Sequence, residues 1–144
     1  MLIEKQEISS QHSLKLVESA IKASAASGCK ICVAVVDSNG FVTALRRMDA
    51  VPHAVTDFAL DKAYTAVMTR KTTAAFFGRM DSSPSLRMGL GNRPRLLVWG
   101  GGLPLFFGDK IVGAIGVSGA QEQEDIQFAE AAVVEAGLTW EAVL

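Results

Sequence analysis

The chain has 144 residues and a mass of 15.3 kDa, which fits one domain spanning residues 1–144. Its 49% hydrophobic and 20% charged residues exclude a disordered chain, and a mean hydropathy of +0.27 favours burial of apolar surface between copies, as in a homo-oligomer. A net charge of -1 excludes the basic surface that nucleic acid requires. Because the sequence contains neither a membrane-spanning apolar run nor a signal peptide pattern, we expect a cytoplasmic protein that binds neither nucleic acid nor membranes.

The first third of the chain predicts a helix followed by a β-hairpin. Apolar residues recur at helical spacing over residues 9–27, and Gly28 is placed to end that helix. Residues 31–37 and 41–45 are apolar and rich in β-branched side chains, which favours two strands. The intervening Asn39-Gly40 supplies the positive φ angles of a tight turn, so the two strands are predicted to pair.

The middle of the chain predicts a second long helix and then a loop. Valine and alanine recur at helical spacing from Pro52, which suits a first helical turn, through Arg70. A short helix is predicted to extend through Phe76 and Phe77. Residues 78–94 are so rich in Gly, Ser and Pro that they predict a long loop, and such loops are often functional.

The last third predicts three strands, at residues 95–99, 103–107 and 111–118, and a closing helix at residues 121–136. The strands are joined by hairpins rather than by crossover helices, which indicates antiparallel pairing. We therefore predict an α+β fold with a five-stranded antiparallel sheet flanked by helices.

Two short motifs suggest chemistry that their context does not support. Cys29 and Cys32 form a CxxC, but they follow a predicted helix and lead into a strand, so structural cysteines are favoured over a redox or zinc site. Residues 116–120 nearly match the nucleophile elbow GxSxG. No histidine follows Ser118, however, as the hydrolase triad requires, so Ser118 is predicted to cap the last helix.

Several polar side chains remain as candidates for a site. His53 and Asp57 are one helical turn apart, so the carboxylate can orient a metal-binding imidazole, although a solvated helix face gives the same pattern. His12 is the second histidine and has no evident partner. Arg47 can clamp a carboxylate. Lys62 lies close to an alanine stripe, where it either extends from the edge of the core or acts as a partly buried catalytic amine.

Two glycine clusters lie in the predicted strands, and both lack the spacing of a nucleotide-binding loop. Gly101, Gly102 and Gly116 are the members that we place at a candidate ligand site. A glycine in a strand marks the close approach of either another backbone or a ligand, because it has no Cβ. Both interpretations remain open from the sequence.

Four segments occur in a familiar order: Arg47-Met-Asp49, Lys62-Ala-Tyr-Thr-Ala66, Gly100-Gly-Gly-Leu-Pro104 and Gly113-Ala-Ile-Gly-Val-Ser-Gly119. In this order and spacing they resemble the GlcG/HbpS-like family, also called the haem-degrading domain family. The resemblance implies a profilin-like fold of α/β/α layers, assembly into dimers or larger rings up to octamers, and haem binding in some members. Pro52-His53 matches a Pro-His that members often carry before the second helix. After Gly119 the chain departs from the usual Gly-Thr-x-Glu-Gln-Asp and keeps only Asp125 in register.

The leading hypothesis from these features is a small oligomer that binds haem or a similar flat, carboxylated ligand. In this hypothesis His53 is the axial metal ligand, with His12 as a second candidate, and Asp57 orients the imidazole. Arginines near the pocket pair with the haem carboxylates, and Gly101, Gly102 and Gly116 form an apolar wall.

Two alternatives belong to other functional classes. One is an enzyme that acts on a small organic acid or carbonyl compound, in which Asp57 or Lys62 transfers a proton and Arg47 holds the carboxylate. The other is a non-catalytic sensor or accessory subunit, in which the glycines serve only close packing. The sequence does not separate the three.

Overall fold

The computed structural model describes residues 1–144. Its helices and strands, in chain order, are α1 Ser10–Ala26, β1 Cys32–Asp37, β2 Val42–Arg47, α2 Ala54–Thr69, α3 Thr73–Met80, α4 Pro84–Gly91, β3 Gly102–Phe107, β4 Lys110–Ser118 and α5 Glu122–Glu135. The predicted first helix, hairpin, second helix and closing helix are therefore all present. None of the helices combines the length and the hydropathy needed to span a bilayer.

The four strands form one antiparallel sheet in the order β2-β1-β4-β3, with helices packed on it. The prediction of a fifth strand at residues 95–99 is wrong. This stretch packs beside α2, where the Leu97 N–H donates to the Thr65 hydroxyl at 2.9 Å and that hydroxyl donates to the Arg95 carbonyl at 3.0 Å. A helix side chain thus replaces the neighbouring strand as hydrogen-bond partner, and a φ of 71° at Arg95 interrupts the extended backbone.

The predicted loop at residues 78–94 contains a helix, α4, so this prediction is also wrong in part. The Ser83 hydroxyl accepts a hydrogen bond from the Leu86 N–H at 3.3 Å, and Pro84 occupies the first turn of the helix. A serine cap followed by proline is a helix start signal. The Gly, Ser and Pro content of the segment obscured that signal.

The sheet separates two apolar layers. Val33 and Val35 contribute to a cluster with α1 and α5, whereas Cys32, Ala34 and Val36 contribute to a second cluster under α2. Alternate residues of a strand point to opposite faces of the sheet, so β1 serves both clusters. The side chains that α2 presents to the sheet are mostly alanines, which brings the helix backbone close to β4.

Ser118 does not cap α5, contrary to the prediction. It is the last residue of β4 and is buried, and Gln121 occupies the N-cap position instead. The Gln121 N–H donates to the Glu124 carboxylate at 3.2 Å. Residues 119–121 therefore separate the end of the strand from the start of the helix, and the Ser118 side chain is left beside α2.

Both cysteines are free thiols. Cys32 is fully buried in β1, and this burial raises its thiol pKa. The Cys29 thiol donates a hydrogen bond to the Glu124 carboxylate at 3.2 Å, which raises the pKa of Cys29. A raised thiol pKa disfavours the reactive thiolate.

Candidate functional site

A buried ion pair lies where α2, β4 and α5 meet. Lys62 on α2 is 2% exposed and Asp125 on α5 is 3% exposed. The Lys62 ammonium donates to Asp125 Oδ2 at 3.3 Å and to the Val117 carbonyl at 2.9 Å. Asp125 Oδ1 accepts a hydrogen bond from the Ala120 N–H at 3.0 Å. The expectation that Lys62 extends outward from the edge of the core is therefore wrong, because the fold supplies its acceptors internally.

Burial acts on the two charged groups in opposite directions. It lowers the pKa of Lys62, and the negative charge of Asp125 opposes this effect. It raises the pKa of Asp125, and the positive charge of Lys62 opposes that effect. Both shifts favour the neutral forms, so the two pKa values lie closer together than those of two exposed groups.

Two of the three candidate glycines allow α2 to approach the sheet. A Cβ at Gly116 would lie 2.1 Å from the Ala59 carbonyl oxygen, and a Cβ at Gly102 would lie 2.4 Å from the Lys62 carbonyl oxygen. A Cβ at Gly101 would clash with the Val117 carbonyl oxygen of β4 and would lie 3.1 Å from Lys62 Nζ. The structure therefore supports the backbone-approach interpretation, since a Cβ at each glycine would meet the backbone of α2 or of β4.

A pocket of about 310 Å³ opens beside the ion pair. Its polar side chains are Lys62, Ser118, Glu122 and Asp125, and its remaining lining comes from Val55, Phe58, Trp99, Gly100, Gly119 and Ala120. Phe58 and Trp99 meet edge to face, with ring centroids 5.1 Å apart, and form an aromatic wall. The Glu122 carboxylate accepts a hydrogen bond from the Gly100 N–H at 2.8 Å, which joins the glycine segment to α5.

Sequence reasoning selected Lys62 but missed its surroundings. The sequence singles out Asp125 only for its register with the family pattern. Ser118 was assigned to a helix cap, and Trp99 to a strand. The retained aspartate after Gly119 was the one signal in the sequence that could have identified the partner of Lys62.

His53, Asp57 and Arg47 lie outside this pocket. His53 precedes α2, is exposed and forms no hydrogen bond through its ring, and Asp57 is exposed in the first turn of that helix. Arg47 donates a hydrogen bond to the Val51 carbonyl. The structure pairs Lys62 with Asp125 rather than with Asp57, and no hydrogen bond or ion pair joins His53 to Asp57.

His12 lies in the opposite layer of the molecule. It is half-buried on α1, and its Nε2 lies 3.0 Å from the Ala136 carbonyl oxygen at the end of α5. This contact joins two helices, and the two histidines are not brought together. No group of three or more His, Cys, Asp or Glu side chains is arranged to hold a metal ion.

The fold and the site thus define a small three-layer α+β protein with a polar pocket at the end of its central strand β4. The family model described as "Haem degrading protein HbpS-like" matches residues 8–134. The chain therefore belongs to the HbpS-like family.

Related proteins agree with this assignment. An uncharacterized 15.0 kDa protein in the dhaT-dhaS intergenic region of Citrobacter freundii is 36% identical over 104 residues, which are 72% of this chain and 73% of that protein. The crystal structure of Klebsiella pneumoniae ORFY superposes with a TM-score of 0.87 at 26% identity over 94% of both chains. A double mutant of Streptomyces reticuli HbpS superposes with a TM-score of 0.85 at 30% identity, over 93% of this chain and 90% of that one.

A crystal structure of a PduOC:haem complex also shares the fold. Its TM-score is 0.86 at 20% identity, and the match covers 94% of this chain and 99% of that one. At this identity the likeness establishes a common architecture.

Proposed function

We propose that this protein binds haem and that a ring nitrogen of His53 would hold its iron. The observation that carries the proposal is the different state of the two imidazoles. Nε2 of His12 is engaged by a backbone carbonyl, whereas the ring of His53 is exposed and makes no hydrogen bond within the chain. Both ring nitrogens of His53 are free of contacts in an exposed position, whereas His12 is half-buried and holds one nitrogen against the Ala136 carbonyl. Membership of the HbpS-like family and the haem complex of PduOC support this choice of ligand.

The residues around His53 fit a haem in their chemistry. Haem would supply a redox-active iron, and His53 would hold that iron. Asp57 lies one turn further along α2 and would orient the imidazole once His53 holds the iron. Arg46 and Arg47 are exposed at the end of β2 and would pair with the haem carboxylates.

His53 lines none of the five best-defined pockets of the chain. A haem held there would rest on an open face, and a second copy of the chain would cover its other side. This requirement agrees with the homo-oligomer expected from the mean hydropathy. Phe41, Val42 and Leu45 are exposed along β2, which is an edge strand of the sheet and offers apolar area for such contact.

The test is a haemin titration followed by visible absorption on the wild type, His53→Ala and His12→Ala. We expect a saturable Soret shift near one haem per chain that is lost only in His53→Ala. Equal binding by all three proteins would indicate adsorption to an apolar surface and would overturn the proposal. Light scattering coupled to gel filtration measures the oligomer in the same samples, and a monomer with and without haemin would contradict the second-copy arrangement.

A further inference from the structure

The pocket beside Lys62 contains hydrogen-bond donors that the fold does not use. An ammonium group has three N–H donors, and Lys62 directs two of them to Val117 and Asp125. Ser118 is 5% exposed, lines the same pocket and forms no side-chain hydrogen bond within the chain. No fully buried side-chain nitrogen or oxygen of the chain lacks a partner, so the Ser118 hydroxyl is open to the pocket and is not enclosed by the fold. The remaining N–H of Lys62 and this hydroxyl are therefore donors available to an acceptor from outside the chain.

The charge of the pocket restricts what that acceptor can be. The lining contains one cationic side chain, Lys62, and two acidic side chains, Glu122 and Asp125. A carboxylate ligand would add a third negative charge in a partly desolvated space, which is unfavourable. A neutral oxygen acceptor avoids this repulsion and still satisfies both donors.

The remaining walls restrict its size and shape. Val55, Phe58 and Trp99 present apolar surface on the side away from the ion pair. The volume of about 310 Å³ lies at the small end of the range for ligand pockets, roughly 300–1,000 Å³. The pocket therefore has a polar end and an aromatic end. A ligand fits it when a short apolar group is joined to the group that carries the acceptor oxygen.

We propose that this pocket binds a small neutral carbonyl compound. Its oxygen accepts hydrogen bonds from the Lys62 ammonium and the Ser118 hydroxyl, and its apolar substituent packs against Phe58 and Trp99. A carbonyl oxygen held by these donors is polarised, and Asp125 positions the Lys62 ammonium that donates to it. Among the enzymatic alternatives, this favours a carbonyl compound over an organic acid. The partner of Lys62 in that chemistry is then Asp125, instead of Asp57 or Arg47.

The test uses three probes of equal size and different charge: propionamide, propionate and propylammonium. The chain has two tryptophans, and Trp99 lines the pocket while Trp140 lies elsewhere, so their two indole N–H signals in a ¹⁵N-correlated NMR spectrum give a readout and an internal control. Trp140→Phe assigns the signals. We expect propionamide to shift the Trp99 signal saturably while the Trp140 signal stays in place. Propionate and propylammonium should have little effect at the same concentrations.

Variants locate the binding. Ser118→Ala removes one donor without introducing a buried charge, and we expect its propionamide affinity to fall roughly 2- to 10-fold, the loss expected for one hydrogen bond. Ser19→Ala on α1 is the matched control and should bind as the wild type does. Lys62→Met should abolish the shift, and Ser118→Ala remains informative if that variant does not fold.

The possible outcomes separate this site from the haem site. His53→Ala should keep propionamide binding even though it loses haem, because His53 does not line this pocket. No shift with propionamide, or a shift at least as large with propionate or propylammonium, would overturn the proposal. Unchanged affinity in Ser118→Ala would also overturn it, since the hydroxyl would then not be a donor to the ligand.

Discussion

The two candidate side chains His53, just before α2, and Lys62, within α2, differ in how the fold holds them. His53 stands at the start of the helix, and its side chain is exposed and forms no hydrogen bond within the chain. Lys62 lies nine residues further along the chain, where it is buried and forms hydrogen bonds with both β4 and α5. An exposed group can be replaced with little effect on the fold, and it must rely on its ligand for geometry. A buried charged group is positioned by the fold, so its function and the stability of the protein depend on the same contacts.

The largest expected difference between these two positions is in stability. Lys62→Met leaves Asp125 buried without its counter-charge, and we expect the free energy of unfolding to fall by about 3–5 kcal/mol. Urea denaturation at neutral pH measures this change. The double variant Lys62→Met with Asp125→Leu should recover most of the loss, because no charge is then buried. A single variant as stable as the wild type would mean that water already compensates Asp125.

The close approach of α2 to the sheet predicts the next largest effect. A Cβ at Gly116 would meet the backbone of Ala59, so Gly116→Ala must displace the helix and should cost about 1–3 kcal/mol. Gly89→Ala on α4 is the matched control, since a Cβ there meets nothing within 4 Å. The control should gain up to about 1 kcal/mol from helix propensity. Equal effects of both substitutions in thermal unfolding would disprove the packing argument.

The pH dependence of stability should report the buried pair. The pKa of Lys62 is lowered in the fold from its ordinary value of 10.5, so the unfolded chain binds more protons between the folded pKa and that value. The contribution of Lys62 to stability therefore rises with pH across this window. The pKa of Asp125 is raised, so its contribution falls as the pH rises from 3.8 through the folded pKa. Urea midpoints compared with those of the Lys62→Met, Asp125→Leu double variant isolate both slopes. Parallel curves for the two proteins would show that the pair titrates alike in the folded and unfolded states.

The smallest effects should distinguish the two histidines. His12→Ala removes the contact with the Ala136 carbonyl and should cost about 1 kcal/mol, with haem binding retained. His53→Ala should change stability by less than about 0.5 kcal/mol, because the side chain is exposed and unbonded, yet it should lose haem. Denaturation and haemin titration on the same two variants make this comparison. The reverse pattern would move the axial ligand to α1.

Most elements of the fold could be predicted from local patterns. The helical spacing of α1 and α2 and the Asn39-Gly40 turn are signals that neighbouring residues carry by themselves. The strand predicted at residues 95–99 failed because its apolar side chains suit a strand, whereas its backbone found a partner in Thr65. That partner lies on α2, far along the chain. The tertiary contact with α2 therefore outweighed the local preference of residues 95–99 for a strand.

For the same reason, the sequence identified only one part of the candidate site, Lys62, and not the residues around it. Lys62 was a candidate because a lysine beside an alanine stripe is unusual. Its partner Asp125 is 63 residues away in sequence, and Ser118 ends a glycine-rich strand whose sequence is similar to an unrelated motif. Periodicity places each residue on its own element, but the meeting of α2, β4 and α5 at one point depends on how those elements pack.

The bonds of Lys62 also have a consequence for how the molecule opens. One side chain connects a helix on one face of the sheet, the central strand β4, and the start of the helix that covers the other face. Separating any of the three exposes a charge that has no other partner, so these segments should unfold as one cooperative unit. Their amide protons should exchange with solvent together and slowly. Those of α4, which has no buried residue, should exchange first.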